Sequence, residues 1–248
     1  GRRCSVRFDL HIHSCLSPCA DLEMSPCAIV ARAREAGLDA LALTDHNSAR
    51  NTPTLADCCR AAGLACLFGL EVTTAEEVHT LALFDTLEQA AAMTEWVYAS
   101  LPKRVNQPEI FGDQPVVLAD ETIVELEWRL LAGASRHPLR EVGRQIHELG
   151  GLFLACHVDR PVNSVYSQLG VLAGDEGFDA MELSRHADAA QWRGRTAPHT
   201  LLRSSDAHYL EDIGSGWSEA DLPAFTTAAL RDAIARNAIR LGSPLVRH

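Results

Sequence analysis

Five short motifs place imidazole and carboxylate side chains directly after apolar runs: Asp9-Leu10-His11-Ile12-His13, Thr44-Asp45-His46, Glu71, His157 and Asp206-Ala207-His208. Histidine nitrogen and carboxylate oxygen are the usual ligands of Mn, Fe and Zn, and several converging on one point would hold a metal that does chemistry. His11 and His13 are separated by one residue, so on a strand both point to the same face. Alone, that pair reads equally as two partly buried polar residues. Glu71 is more telling, because a carboxylate closing the run 64–70 is costly to bury unless it is paired or metal-bound. His137, His147, His186 and His199 fall in helical or loop stretches, where surface histidine is ordinary, and His248 is terminal. Of these, only His186 closes a predicted strand.

The apolar runs are what must position these groups. Each is followed by a helical pattern, which reads as buried parallel strands, and a parallel barrel delivers the last residues of its strands to one face. Strands are expected at 38–44, 64–71, 78–84, 152–157, 180–183 and 201–205, after a first one ending in the His11 motif. Helices are expected from Ser25-Pro26 to Gly37, and over 54–62, 87–101, 138–149 and 224–237. Residues 102–120 break this rhythm with Pro108, Gly112 and Pro115, and Asp120 or Thr122 could cap a helix over 123–131. The segment from about 102 to 135 therefore reads as a loop and helix inserted into the repeating unit, of the kind that shapes specificity.

With 248 residues, 47% of them hydrophobic and 22% charged, the chain can bury a sizeable core and is expected to be one α/β domain. The net charge is −11 and the only lysine is Lys103, which argues against broad, non-specific binding of duplex nucleic acid. A nucleotide or a short single strand held at a metal site remains compatible with it. Eight cysteines include the adjacent Cys58 and Cys59, awkward for ordinary disulfides, and Cys66 and Cys156 in predicted core strands. With no signal peptide ahead of the first strand, a reducing, cytoplasmic setting is expected. No apolar run approaches the ~20 residues of a membrane span, so no membrane partner is expected.

Taken together, Asp-Leu-His-Ile-His-Ser at 9–14, Thr-Asp-His-Asn at 44–47, Gly-Leu-Glu-Val at 69–72, His157 and Ser-Asp-Ala-His at 205–208 resemble the PHP (polymerase and histidinol phosphatase) family of metal-dependent phosphoesterases. The motifs occur in family order from residue 8 to about 210. The resemblance implies a distorted (β/α)7 TIM-like barrel with two or three divalent ions at its C-terminal face. It assigns His11, His13, Glu71 and Asp206 to the first metal, and makes Glu71 the bridge to a second that His79 and His157 complete. His46 and His208 would hold a third, joined by Asp21 in preference to Cys19, since carboxylate suits a hard, oxygen-rich site. The ligand mixture suits Mn, Fe or Zn better than Mg alone.

The chemistry implied is hydrolysis of a phosphate ester by a metal-activated hydroxide, with no protein nucleophile. Asp45, Glu71 and Asp206 are the candidate catalytic carboxylates: Glu71 as the bridge, Asp45 or Asp206 as orienters of the water or of the histidines. Arg160, Arg185 and Arg50 are candidates for the substrate phosphate. The expected substrate is a phosphomonoester of a small metabolite or nucleotide, or an oligonucleotide end. Two other readings stay open. One is a metal-binding module without turnover, its insertion serving a protein partner or acting as a lid. The other is an amidohydrolase-like enzyme, whose metals are commonly bridged by lysine; the place of Lys103 in the insertion counts against that.

Overall fold

The structure, a computed structural model, describes residues 4–242, so His248 lies outside it. The chain runs β1 (Cys4–Asp9), α1 (Pro26–Glu35), β2 (Ala40–His46), α2 (Thr52–Ala62), β3 (Ala65–Thr73), β4 (His79–Phe84), α3 (Leu87–Ser100), α4 (Pro108–Phe111), β5 (Pro115–Val117) and β6 (Ile123–Leu126). It continues through α5 (Leu139–Glu148), β7 (Leu152–Ala155), α6 (Val165–Leu169), β8 (Ala180–Leu183), α7 (Ala189–Thr196), β9 (Leu201–Arg203), β10 (Ser218–Leu222), α8 (Thr227–Ala235) and β11 (Arg240–Leu241). The helices begin where local chemistry dictates. Ser25 caps α1 by accepting from the Ala28 N–H, with Pro26 in the first turn, and Thr86 and Gln89 form a capping box on α3.

Nine strands form one sheet in the order β11-β10-β1-β2-β3-β4-β7-β8-β9. The sheet curls until its ends nearly meet. Ser218 of β10 accepts from the Arg203 N–H of β9 at 2.8 Å and donates to the Arg203 carbonyl at 2.9 Å. Ile12 pairs with Ala207 as an isolated parallel bridge. The α/β, TIM-like barrel is as expected, with two corrections. It has nine strands rather than seven, and β4 runs antiparallel to both β3 and β7. The reason lies in the connection. Only residues 74–78 join β3 to β4, whereas a parallel crossover needs a dozen or more. The chain therefore turns back, with the Thr74 N–H bonded to the Val78 carbonyl. Gly69 permits the close β3–β4 approach, since a Cβ there would lie 2.3 Å from the Ala82 carbonyl oxygen.

One face of each strand fills the barrel: Ala40 and Ala42, Leu67, Leu81 and Leu83, Leu152 and Leu154, and Ala180 pack together with Leu230 and Ala233 of α8. Helix α8 closes the base, where Thr227 bonds Asp85 at the end of β4 and Arg231 donates to the Gly151 carbonyl before β7. The two-residue strand period carries the same inward row up to His46, Glu71, His79, Cys156 and Glu182 at the other end.

The insertion departs from its expected form. Residues 123–131 do not make a helix; β6 pairs antiparallel with β5, with an irregularity between Val116 and Val117. Adjacent β-branched residues, Val116-Val117 in one strand and Ile123-Val124 in the other, favour a pleated pair over a helix. Ile110, Ile123, Val124, Leu126 and Trp128 are exposed to solvent rather than packed over the barrel mouth. The cysteines also depart from expectation, for Cys27 of α1 and Cys58 of α2 are joined as a disulfide. Adjacent residues on a helix point about 100° apart, so Cys58 reaches α1 while Cys59 packs inward. Among the described residues, no helix is long and apolar enough to cross a membrane.

Candidate metal centre

At the mouth, one carboxylate faces five imidazoles. Glu71, at the inward end of β3, lies 2.8 Å from His79 Nδ1, 3.1 Å from His13 Nε2, 3.3 Å from His46 Nδ1 and 3.4 Å from both His11 Nε2 and His157 Nε2. His79 opens β4 and is there because that strand is reversed, pairing with Thr73 across the hairpin. Asp206 completes the floor, its Oδ1 at 3.2 Å from His11 Nε2 and 3.1 Å from His13 Nε2.

These groups sort into three overlapping clusters that could each hold an ion: His11, His13, Glu71 and Asp206; Glu71, His79 and His157; and His13, His46 and His208. The residues fit metal ions on one further observation. His46 Nδ1, Glu71 Oε1, His79 Nδ1, both ring nitrogens of His157 and Asp206 Oδ1 are buried yet have no hydrogen-bond partner among the described residues. The 2.8 Å approach of His79 to Glu71 thus lacks hydrogen-bond geometry. Buried polar atoms left so are costly, and a shared cation would satisfy them together. His11 Nε2 and His13 Nε2 face each other at 3.1 Å, as two lone pairs do when aimed at one acceptor.

The electrostatics agree. Burial opposes the charge on Glu71, but the surrounding histidines, His79 and His11 first among them, outweigh it and hold the carboxyl well below its usual range. Asp206 is likewise held low against burial by His11 and His13. Burial keeps His46 well below its ordinary value, and burial together with the charge on His13 brings His208 down to about 4. Both are therefore neutral, as ligand imidazoles must be.

Supporting residues hold the ligands from behind. The His13 ring sits 2.8 Å from Ser17 Oγ through Nδ1, and Ser17 donates to Asp45 Oδ1 at 2.7 Å. Asp45 also accepts from the Ser14 N–H and hydroxyl, so it faces the Ser14–Ser17 loop and acts on the mouth through Ser17, which contacts the His13 ring and accepts from the His46 N–H at 3.1 Å. Asp9, pushed up to about 7 by burial, is bonded to Ser205 and the His11 N–H, tying the first and last motifs together. Glu182 lies at 2.9 Å from His11 Nδ1 and accepts from the His157 N–H at 2.9 Å. Asp9 belongs to the first motif, but neither Ser17 nor Glu182 stands out in the sequence by spacing. Glu182 nevertheless carries the signal that Glu71 carries, a carboxylate inside an apolar strand.

Asp21 is not drawn into the clusters. Its N–H bonds the His208 carbonyl, but its carboxylate accepts from the Glu23 N–H. Cys19 is the loop residue that lines the cavity beside Asp206 and His208. Its thiol is pushed up to about 11, first by burial and then by Glu71 and Asp206. That cavity, about 290 Å³, is also lined by Arg160, Arg185, His186 and Tyr209. Arg160 donates to Asp206 Oδ2 at 2.9 Å, and Arg185 pairs with Asp212 at 3.0 Å. Arg50 is elsewhere: it grips Glu125 at 2.8 Å and Glu127 at 3.4 Å, bracing the inserted hairpin, and lines a different cavity with Leu87 and Thr94. Its two acidic partners occupy the guanidinium that the phosphate assignment requires. Lys103 is exposed in the insertion, remote from any bridging role.

Comparison with known proteins places this geometry. The DNA polymerase III PolC-type of Thermotoga petrophila is 28% identical over 151 residues, covering 59% of this chain and 10% of that protein. The lesion-specific endonuclease PfuEndoQ of Pyrococcus furiosus has the same fold, with a TM-score of 0.72 at 22% identity, over 96% of this chain and 58% of that one. A chain from Bifidobacterium adolescentis, described as a candidate metal-dependent phosphoesterase, superposes with a TM-score of 0.57 at 19% identity, over 81% of this chain and 87% of that one. This chain thus spans a tenth of the polymerase and somewhat over half of the endonuclease.

One expectation is overturned here. An Endonuclease Q chain holding a 27-mer duplex with an abasic lesion at its active site matches 94% of this chain, with a TM-score of 0.71 at 21% identity. Net acidity is therefore no ground for excluding broad duplex binding from this fold. Phosphates respond to the local field of a site, where bound cations count, and not to the summed charge of a chain. A PHP-associated region matches residues 201–239, which supply β9, β10 and α8 to the same barrel. The PHP domain matches residues 9–155, more than half of the sequence, taking in His11, His13, His46, Glu71 and His79, and the chain belongs to that family.

Proposed function

We propose that this protein is a metal-dependent phosphoesterase acting on a phosphomonoester or on a nucleic acid at its mouth. The observation that carries the reading is Glu71, a buried carboxylate within 3.4 Å of five imidazole nitrogens. His11, His13, Glu71 and Asp206 would hold one ion, Glu71, His79 and His157 a second, and His13, His46 and His208 a third, with Asp21 or Cys19 of the loop after His13 as the candidate to complete it. Manganese, iron or zinc suits such a mixture of nitrogen and oxygen. Bound ions would supply Lewis acidity at the phosphoryl oxygens and a water made acidic enough to ionise near neutral pH.

The chain's own residues do the rest. Ser17 and Asp45 hold the His13 ring, and Asp9 holds the His11 and Asp206 motifs together. Arg160 and Arg185 line the adjoining cavity, whose 290 Å³ is at the small end for a ligand site and suits one phosphorylated unit at a time. Asp206 sits between the ligand cluster and Arg160, so the guanidinium is placed where a phosphoryl group bound at the first cluster would arrive.

Two experiments test this. Hydrolysis of a generic phosphomonoester and a phosphodiester is measured with and without added manganese; metal-dependent release is expected on at least one. Bound metal with no turnover of either would sink the phosphoesterase reading. Arg160→Ala is expected to raise KM roughly tenfold to a hundredfold, the scale of one hydrogen bond to a charged group, with kcat less affected. Loss of bound metal in that variant would instead make Arg160 a prop for Asp206.

A further inference from the structure

Behind the ligands, in the barrel interior, lies a second carboxylate that the mechanism above does not use. Glu182 is 1% exposed and stands on the inward face of β8, next above Ala180. Its oxygens approach His11 Nδ1 at 2.9 and 3.1 Å, and its Oε1 also accepts from the His157 N–H at 2.9 Å. His11 belongs to the first cluster and His157 to the second, so one carboxylate touches a ligand of each. The same residue's carbonyl accepts from the Val158 N–H at 2.8 Å. Two consecutive N–H groups are thus held by Glu182, and they flank a strained link in the centre, one of two cluster residues with a positive φ, the other being Asp206 at 52°. His157 has a φ of 25°, a conformation that side-chain-bearing residues rarely adopt. Such strain persists only where its surroundings over-determine it, and it gathers at functional sites.

We infer that Glu182 is a positioning residue that sets both metal clusters at once: it fixes the Nδ1–H form of His11, leaving Nε2 free as a ligand, and it holds the His157 backbone in its strained turn. The inference rests on the metal-centre reading and adds to it. A ring that donates from Nδ1 to a buried carboxylate must present Nε2 to its front, and here Nε2 faces Glu71 and Asp206. A different use of the same residues is a separate ion held by His11, Cys156 and Glu182, whose donor atoms also lie close together. The short His11 Nδ1–Glu182 contact argues against it, because the nitrogen that such an ion needs is engaged by the carboxylate.

The test uses the full chain and three proteins: wild type, Glu182→Gln and Cys156→Ser. Gln keeps the size and, with its carbonyl on the His157 N–H, puts its NH2 at the position 3.1 Å from His11 Nδ1, so it removes the charge and one of the two acceptors that favour the Nδ1–H form. Calorimetric titration with manganese is expected to show affinity roughly tenfold to a hundredfold weaker in Glu182→Gln, the scale of losing a partner behind a metal ligand, with Cys156→Ser as wild type. A purely structural role would lower the melting temperature of the apoprotein and leave the affinity of the folded protein alone. Wild-type affinity in Glu182→Gln overturns the inference, as does loss of one metal equivalent in Cys156→Ser. Should Glu182→Gln not fold, nitrogen-15 NMR of the zinc-loaded wild type decides: a proton on His11 Nδ1 is expected, and a bare Nδ1 overturns it. No metal in the wild type would bring down the phosphoesterase reading itself, which separates the two failures.

Discussion

Replacing Glu71 by Gln is expected to abolish hydrolysis while the barrel still folds. The carboxylate is within 3.4 Å of His11, His13, His46, His79 and His157, so its charge is shared by every cluster at the mouth. Gln matches it in size and hydrogen-bonding reach but removes the negative charge and one ligand from each of two clusters. Activity should fall by more than about a hundredfold, beyond the 10–100-fold expected for a residue that only supports a ligand. Bound metal should fall with it, and circular dichroism should be unchanged. The apoprotein should be hurt most in acid. There His11 and His13, both raised by Glu71, are charged and lose their counter-charge, whereas at higher pH they shed protons and the loss shrinks. Full activity in Glu71→Gln would remove the shared bridge on which the ligand assignment stands.

The apoprotein should also lose stability as pH rises, and metal should reverse the trend. Burial opposes the charge on His13, but its contacts with Asp206 and Glu71 outweigh that and push it up to about 9. A histidine raised above its unfolded value of about 6.5 stabilises fully below that pH and loses the contribution as pH climbs through about 9, some 3 kcal/mol at this one group. Asp9, pushed up to about 7, adds the same sign at the acid end of the window. Glu71 and Asp206 are held low and titrate well below it. A metal needs His13 neutral, and His11, held well above its ordinary value against burial by Glu182, Asp206 and Glu71, neutral too, so below about pH 9 it must displace protons and its affinity should fall at least about tenfold per pH unit on acidification. Urea denaturation at pH 6, 7.5 and 9, with and without manganese, reads both slopes. Curves of the same slope in both conditions would contradict the shared role of His13.

Much of the site is legible because its residues obey the strand period. Ala40, Ala42 and His46, or Leu67 and Glu71, are one inward row in sequence as in space. His79 is legible too once the five residues before it are seen to be too few for a crossover. What sequence hides are partners brought together from distant strands. Glu182 lies far along the chain from His11, and Ser17 joins Asp45 to His13 only after folding. Arg50 shows the converse failure: its position after a motif suggests phosphate, yet the inserted hairpin supplies Glu125 and Glu127 to neutralise it. Asp21 carries the right chemistry on a loop whose local turn claims the carboxylate for the Glu23 N–H. The hairpin itself was masked by a pattern that also fits a short helix, and its pairing is decided by β-branched neighbours across the strands.

The most direct test of the central claim is the metal content of the purified protein, reconstituted with manganese and measured by mass spectrometry beside Glu71→Gln. Two or three equivalents per chain in the wild type, and fewer in the variant, are the predicted result. A wild-type chain that retains no metal after reconstitution would contradict the account.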